Sequence, residues 1–371
     1  MLRTCLVVVT LTIAASCGGS KEPPTAAAPV PAATAVPAPA ASPAASATPA
    51  TAADAYDQAA AFASAGQFDR AHAAFESASR AFPADQSIAA ALAILIDRRG
   101  SRVSEGVAQR IFRAFDDANA GRWTEAHAGI DEAIKQAPDY PRAHSARGNI
   151  FVLQQNLDDA IAAFSGAIEA DSQFWEGHFN RGSAYMSRSL QTRSREDAEA
   201  ALVDLSRAHE LAPTVVDPIF QRGVLLALAG EWPAALADLD KAIAIAPAFS
   251  DAYYNRGLAH QNLRDVSRAI ADYSKAIELD PTDAPPLINR GLLLARQKNY
   301  DAALADLDRA AAVAPNVLNS RLEKAGVLES MGRRDEAIRE WELVAEKGTG
   351  DAAWMGAEAR QRLAALRQQQ Q

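Results

Sequence analysis

Cysteine is nearly absent from this 371-residue chain: the two present, Cys5 and Cys17, both lie in its first seventeen residues. No disulfide can staple anything further along, and no thiol is available there as a nucleophile or metal ligand. Aromatic residues supply only 6% of the chain against a hydrophobic fraction of 49%, a balance rich in alanine that suits closely packed helices rather than sheets. Lysine and arginine form no long run and the formal net charge is −9, so the surface repels phosphate backbones and no nucleic-acid partner is expected. Six histidines are spread along the chain without ligand spacing. There is no H-E-x-x-H, no glycine-rich phosphate loop, and no serine or cysteine beside a matched base. These absences argue against an enzyme, and no metal or cofactor is expected.

What the chain does have is a period. Gly223, Gly257 and Gly291 are evenly spaced, as are Pro213, Pro247, Pro281 and Pro315, at a repeat of about 34 residues. Within each unit small and large residues recur in phase: Ala235, Leu239 and Ala242, then Ala269, Tyr273 and Ala276, then Ala303, Leu307 and Ala310. Apolar residues at helical spacing, such as Ile219 with Leu226 and Leu287 with Leu294, give each helix a face to bury. Glycine and the first alanine let two helices approach, and proline marks where the second must stop.

The run from Val216 to Val317 resembles the tetratricopeptide family, matching its Gly, Ala, Ala and Pro positions in three successive units. The resemblance implies an all-α fold, a right-handed superhelical solenoid of about eight helix-turn-helix repeats with a C-terminal capping helix. A first unit is expected at 54–85, with Phe62, Gly66, Phe68, Ala71, Phe75, Ala78 and Pro83 in phase and Ala59 in place of the pairing glycine. Residues 86–106 read as an extra helix and connector, apolar through Ile88, Leu92, Leu95 and Ile96. It either sets the first unit apart as a rotated cap or is the remnant of a degenerate pair. The solenoid proper spans 107–351, with repeats near 107–140, 141–174, 175–215, 216–249, 250–283, 284–317 and 318–351. The repeat at 175–215 fits only with about seven extra residues around Ser187 to Arg195, placed in the turn between its helices. Residues 352–371 form a last helix with Trp354, Met355, Leu363 and Leu366 to bury, then a Gln tail.

The N-terminal end reads differently. Residues 1–16 resemble an export signal: Arg3 opens it and Cys5 to Ala15 carries no charge, too short a run to span a bilayer. Ala14, Ala15, Ser16 and Cys17 resemble the bacterial lipoprotein box, with Ala14 where the family usually has Leu. This implies lipid attachment at Cys17; cleavage without lipidation and an uncleaved anchor are the alternatives. Gly18 follows rather than Asp, which points to the outer membrane. Residues 17–53, rich in Pro, Ala, Thr and Ser, read as a disordered, partly polyproline linker.

Two columns of polar residues recur at the pairing glycine. Asn180, Gln221, Asn255 and Asn289 each precede an arginine, and Phe179, Phe220 and Tyr254 precede the first three of them. The amide column resembles the asparagine ladder of O-linked N-acetylglucosamine transferase, which implies a peptide-gripping groove on the concave face, since a carboxamide both donates and accepts. The arginines Arg181, Arg222, Arg256 and Arg290 accompany Asp204, Asp238, Asp272 and Asp306 in the second helices, and Lys324 accompanies Glu340, a structural ion-pair ladder. Glu176, Asp217 and Asp251 at the groove edge disfavour a terminal carboxylate as ligand. The expected function is a membrane-anchored protein-protein interaction scaffold on the periplasmic side of the bacterial outer membrane, binding an extended segment of another envelope protein. The alternative is an assembly or secretion component that binds folded subunits through its convex face.

Overall fold

The computed structural model describes residues 51–82 and 85–368; the expected signal segment, Cys17, most of the expected linker, Pro83 and the last three glutamines lie outside the described residues. Among the described residues the fold is all helix, with no strand. The order is α1 (Ala52–Ser64), α2 (Phe68–Ala81), α3 (Gln86–Arg99), α4 (Glu105–Asn119), α5 (Trp123–Gln136), α6 (Pro141–Leu153), α7 (Leu157–Ala170), α8 (Trp175–Thr192) and α9 (Arg195–Leu211). Then come α10 (Val216–Leu228), α11 (Trp232–Ile245), α12 (Ser250–Asn262), α13 (Val266–Leu279), α14 (Ala284–Arg296), α15 (Tyr300–Val313), α16 (Asn319–Ser330), α17 (Arg334–Lys347) and α18 (Ala353–Gln368). Apart from α3 and α18, consecutive helices pack as antiparallel pairs, and each pair packs on the next.

Burial follows the sequence period. Ala235, Leu239, Ala242, Ala269, Tyr273, Ala303, Leu307 and Ala310 are all completely buried. At the pairing glycine the partner helix fills the missing side chain: a Cβ on Gly257 would lie 2.7 Å from Tyr273 Cε1. The prolines stand two residues beyond the last residues of α9, α11, α13 and α15, where no further backbone donor is needed. Between paired helices the turn takes one left-handed residue. It is glycine at Gly66, Gly121, Gly230 and Gly332, but Gln155, Arg264 and Lys298 hold the same position at φ of 60°, 63° and 63°. A backbone bond closes each such turn, for example Asn299 N to Leu294 O at 2.9 Å.

Three expectations need correction. The insertion near Ser187 to Arg195 is not a longer turn, because α8 and α9 have 18 and 17 residues where α10 and α11 have 13 and 14. The turn itself shrinks to Arg193 and Ser194. Helix extension keeps every added backbone group bonded, which a loop of that length would not. Trp354 is 55% exposed, since the buried stripe of α18 runs through Met355, Ala359, Leu363 and Leu366 and a neighbouring position is turned about 100° away. Ile96 of α3 is exposed for the same reason, beside buried Leu95.

The first pair is not set apart. One apolar core runs continuously from Ala55 through α3 and α4 to Ile150. Helix α3 packs on α2, while α4 packs on α1 as well as on its partner α5.

Candidate functional site

The first helices of successive pairs touch one another: α4 meets α6, α6 meets α8, α8 meets α10, α10 meets α12 and α14 meets α16. They therefore occupy the inner side of the stack, where the radius is shorter. Both polar columns lie on these helices, and each joins one pair to another element.

The amides are not open to solvent. Asn180 is 7% exposed and Gln221 and Asn255 are 4% exposed, while Asn289 is half-buried. Asn180 Nδ2 donates to Ser145 Oγ at 3.0 Å and Asn289 Nδ2 to Tyr254 Oη at 3.3 Å, in each case one pair back. Asn255 Nδ2 turns onto its own helix, donating to the Asp251 carbonyl at 2.8 Å. Ser183 Oγ lies 2.7 Å from the Gln221 carboxamide oxygen and 2.9 Å from the Phe179 carbonyl oxygen. One hydroxyl hydrogen serves only one acceptor, and Gln221 Nε2 is left buried without a partner among the described residues. Phe179, Phe220 and Tyr254 are buried beside the amides, and burial, with Asp283 nearby, pushes the Tyr254 hydroxyl up to about 12. A column facing an open groove and a column sewn into a seam have the same spacing, so sequence alone does not separate them.

The arginines each hold a fork. Arg181 Nε and Nη2 reach Asp204 at 2.7 and 2.8 Å, and Arg222 reaches Asp238 at 2.6 and 2.7 Å. Arg256 reaches Asp272 at 2.9 and 2.6 Å, and Arg290 reaches Asp306 at 2.8 and 2.7 Å. The remaining Nη1 reaches back to the second helix of the preceding pair: Ser165, Ser206, Asp240 and Ser274 in turn. Lys324 does the same between Asp308 and Glu340. Those hydrogen bonds hold Arg181 and Arg222 above their ordinary pKa. The backward partners escaped the sequence reading, although each stands 16 residues before its arginine. That regular offset is the signal that finds them.

Helix α3 adds a feature the repeat pattern does not contain. Asp97, near its C-terminal end, accepts from Tyr140 Oη at 3.0 Å and from Arg142 Nε at 3.1 Å, and Arg142 Nη1 donates to Glu176 on α8 at 2.9 Å. Burial opposes the charge on Arg142, yet Glu176 and Asp97 outweigh it and hold the guanidinium above its ordinary pKa. The same guanidinium lies 5.1 Å over the Phe174 ring. Beside this clasp a recess of about 60 Å³ opens between α1, α3, α4, α6 and α8, walled by Tyr56, Ile94, Phe115, Phe174, Trp175 and Phe179. Ser145, Asn149 and Asn180 also line it. Asn149 is half-buried, and its carboxamide makes no hydrogen bond to any described residue. Nothing in the sequence announces the recess, because it depends on where one unpaired helix lies.

A carboxylate group sits further along the inner helices. Burial, then Asp251 and Asp280, pushes the Asp283 carboxyl up to about 6, and burial with Asp280 raises Asp251.

Tetratricopeptide-repeat family models match residues 116–173 with 154–213, 223–263, 250–283 and 273–305, so the helix pairs within 116–213 and 223–305 match tetratricopeptide repeats. No curated protein matches the sequence. Among solved structures, the Cut9-Hcn1 hetero-tetramer of APC/C is 15% identical with a TM-score of 0.51, over 83% of this chain and 55% of that one. PilF of Pseudomonas aeruginosa is 17% identical with a TM-score of 0.49, over 62% and 99%. MamA is 24% identical with a TM-score of 0.41, over 45% and 94%.

Proposed function

We propose that this tetratricopeptide-repeat chain is a protein-binding scaffold of the bacterial cell envelope, tethered through a lipid on Cys17. It holds an extended segment of another envelope protein along its inner helices. The observation that carries the reading is the recess beside α3, where aromatic walls surround the Asn149 carboxamide, bonded to no described residue, on the inner side of the stack. Apolar walls with a few placed polar groups are what a peptide side chain and its backbone require. The inner arginines and their aspartates are already engaged with one another, so they act in register rather than in catalysis. Gln221, Asn255, Phe220 and Tyr254 support the groove from beneath, while half-buried Asn289 and the recess meet the guest.

The partner is to be recovered by pull-down from envelope extract and its affinity measured by calorimetry. Asn149→Ala should weaken binding by about 0.5–1.5 kcal/mol, the worth of one hydrogen bond, with helix content unchanged. Full affinity in both Asn149→Ala and Trp175→Ala would move the site to the outer face, where Val203 is 69% exposed. The tether is tested separately. Cys17→Ser should abolish fatty-acid labelling and shift the protein from the membrane to the soluble fraction; a wild type that stays on membranes without label refutes the lipid anchor.

A further inference from the structure

We propose that the recess beside α3 is the docking site of the chain's own proline-rich segment, residues 29–50, an intramolecular guest that a partner on the inner face must displace. The recess defines its guest by chemistry. Its one cation, Arg142, is committed to Asp97 and Glu176, so no charge is left for a charged ligand. Its walls gather five aromatic residues, Tyr56, Phe115, Phe174, Trp175 and Phe179, in a chain that is only 6% aromatic. Asn149 lies in the recess with its carboxamide bonded to no described residue, and among the described residues Asn180, 7% exposed, spends only its Nδ2 on Ser145. An uncharged extended backbone with small apolar side chains satisfies all of these at once. Prolyl segments in particular have no internal hydrogen bonds and seat in aromatic-lined grooves.

Residues 29–50 have that composition: Pro29, Pro31, Pro37, Pro39, Pro43 and Pro49 among alanines, valines, serines and threonines, with no charged residue. The segment also enters beside the site. It joins the described chain at Thr51, the N-cap of α1, and Tyr56 on that helix lines the recess, about 7 Å along at 1.5 Å per residue. At about 3.1 Å per residue the 22 residues from 29 to 50 span roughly 70 Å, so reach does not limit docking. A covalent neighbour at so short a distance has an effective concentration in the millimolar range, which favours it over the same segment of a second copy. At about 10–15 Å³ per water, the recess of about 60 Å³ has room for roughly four waters, comparable to one small ring.

The test uses the whole chain with benzoylphenylalanine in place of Ala38 or Ala44, irradiated at low protein concentration and mapped by mass spectrometry. Crosslinks within one molecule are expected on the α3 peptide around Ile94 and on the α8 peptide from Trp175 to Asn180. Asn149→Arg, which fills the recess mouth, should reduce their yield at least five-fold. Replacing the six prolines by serine should do the same, and this variant leaves the helical body untouched, so its effect is not one of folding. Crosslinks scattered over the surface, crosslinks only between molecules, or yields indifferent to both variants would each overturn the proposal. No partner enters the experiment, so its outcome is independent of the scaffold reading.

Discussion

Arg181, Arg222, Arg256 and Arg290 each bind oxygens from two second helices, and the cost of removing one depends on what is left behind. Asp272 is buried, held by both forked nitrogens of Arg256. Arg256→Ala should therefore destabilise the chain by about 3 kcal/mol, because the carboxylate stays buried without its partner. The joint change of Arg256 and Asp272 to leucine should cost less than half as much; chemical denaturation distinguishes the two. Asp283 behaves in the opposite sense. Its folded pKa of about 6 lies above the ordinary 3.8, so its contribution to stability is present below about pH 4 and is lost as pH rises through 6. Asp283→Asn should melt higher than wild type at pH 7.5, and the gap should close by pH 4. Equal melting temperatures at both values would show that the carboxyl is not desolvated. The arginine-aspartate pairing was legible in the sequence because the period repeats it at 16 residues in three units, and the insertion in α8 and α9 lengthens it to 23 without changing the residue types. The burial of Asn180, Gln221 and Asn255 was not, since period reports the phase of a side chain and not what packs above it.

At the scale of the helix pair, two glycines and one lysine at a glycine-like turn position predict three outcomes. Gly257 faces the Tyr273 ring, so Gly257→Ala should destabilise by about 1–3 kcal/mol through overpacking. Gly326, inside α16, has nothing within 4 Å of where a Cβ would stand. Gly326→Ala should stabilise by about 0.5–1 kcal/mol through helix propensity alone. Lys298 occupies the left-handed turn position that glycine fills at Gly230 and Gly332. Lys298→Gly should then gain about 1 kcal/mol by relieving its backbone. Thermal melts of the three variants check all of these; the same sign for Gly257→Ala and Gly326→Ala would refute the packing account. The number of helices was readable from the 34-residue phase, but the limits of α8 and α9 were not, because the phase does not tell helix extension from a longer turn. The clasp of Asp97 on Tyr140 and Arg142 was not readable, because a lone helix has no repeat neighbour to fix its direction.

Across the whole molecule, each pair packs on the next, so damage should travel. Hydrogen exchange in Gly257→Ala should quicken in α10, α11, α14 and α15 as well as in α12 and α13, since nearest-neighbour interfaces carry part of every unit's stability. Exchange confined to α12 and α13 would show the units to be independent. The joints themselves have a further consequence. From α8 to α15 every pair brings one arginine, one aspartate for its own fork, and one oxygen already placed for the cation of the pair that follows. A copied unit would arrive with matching couplings on both sides, and a deleted one would leave compatible ends. The gene can therefore lengthen or shorten its product in whole units with no compensating change elsewhere, whereas the start of the chain, where α3 breaks the pattern, has no such freedom.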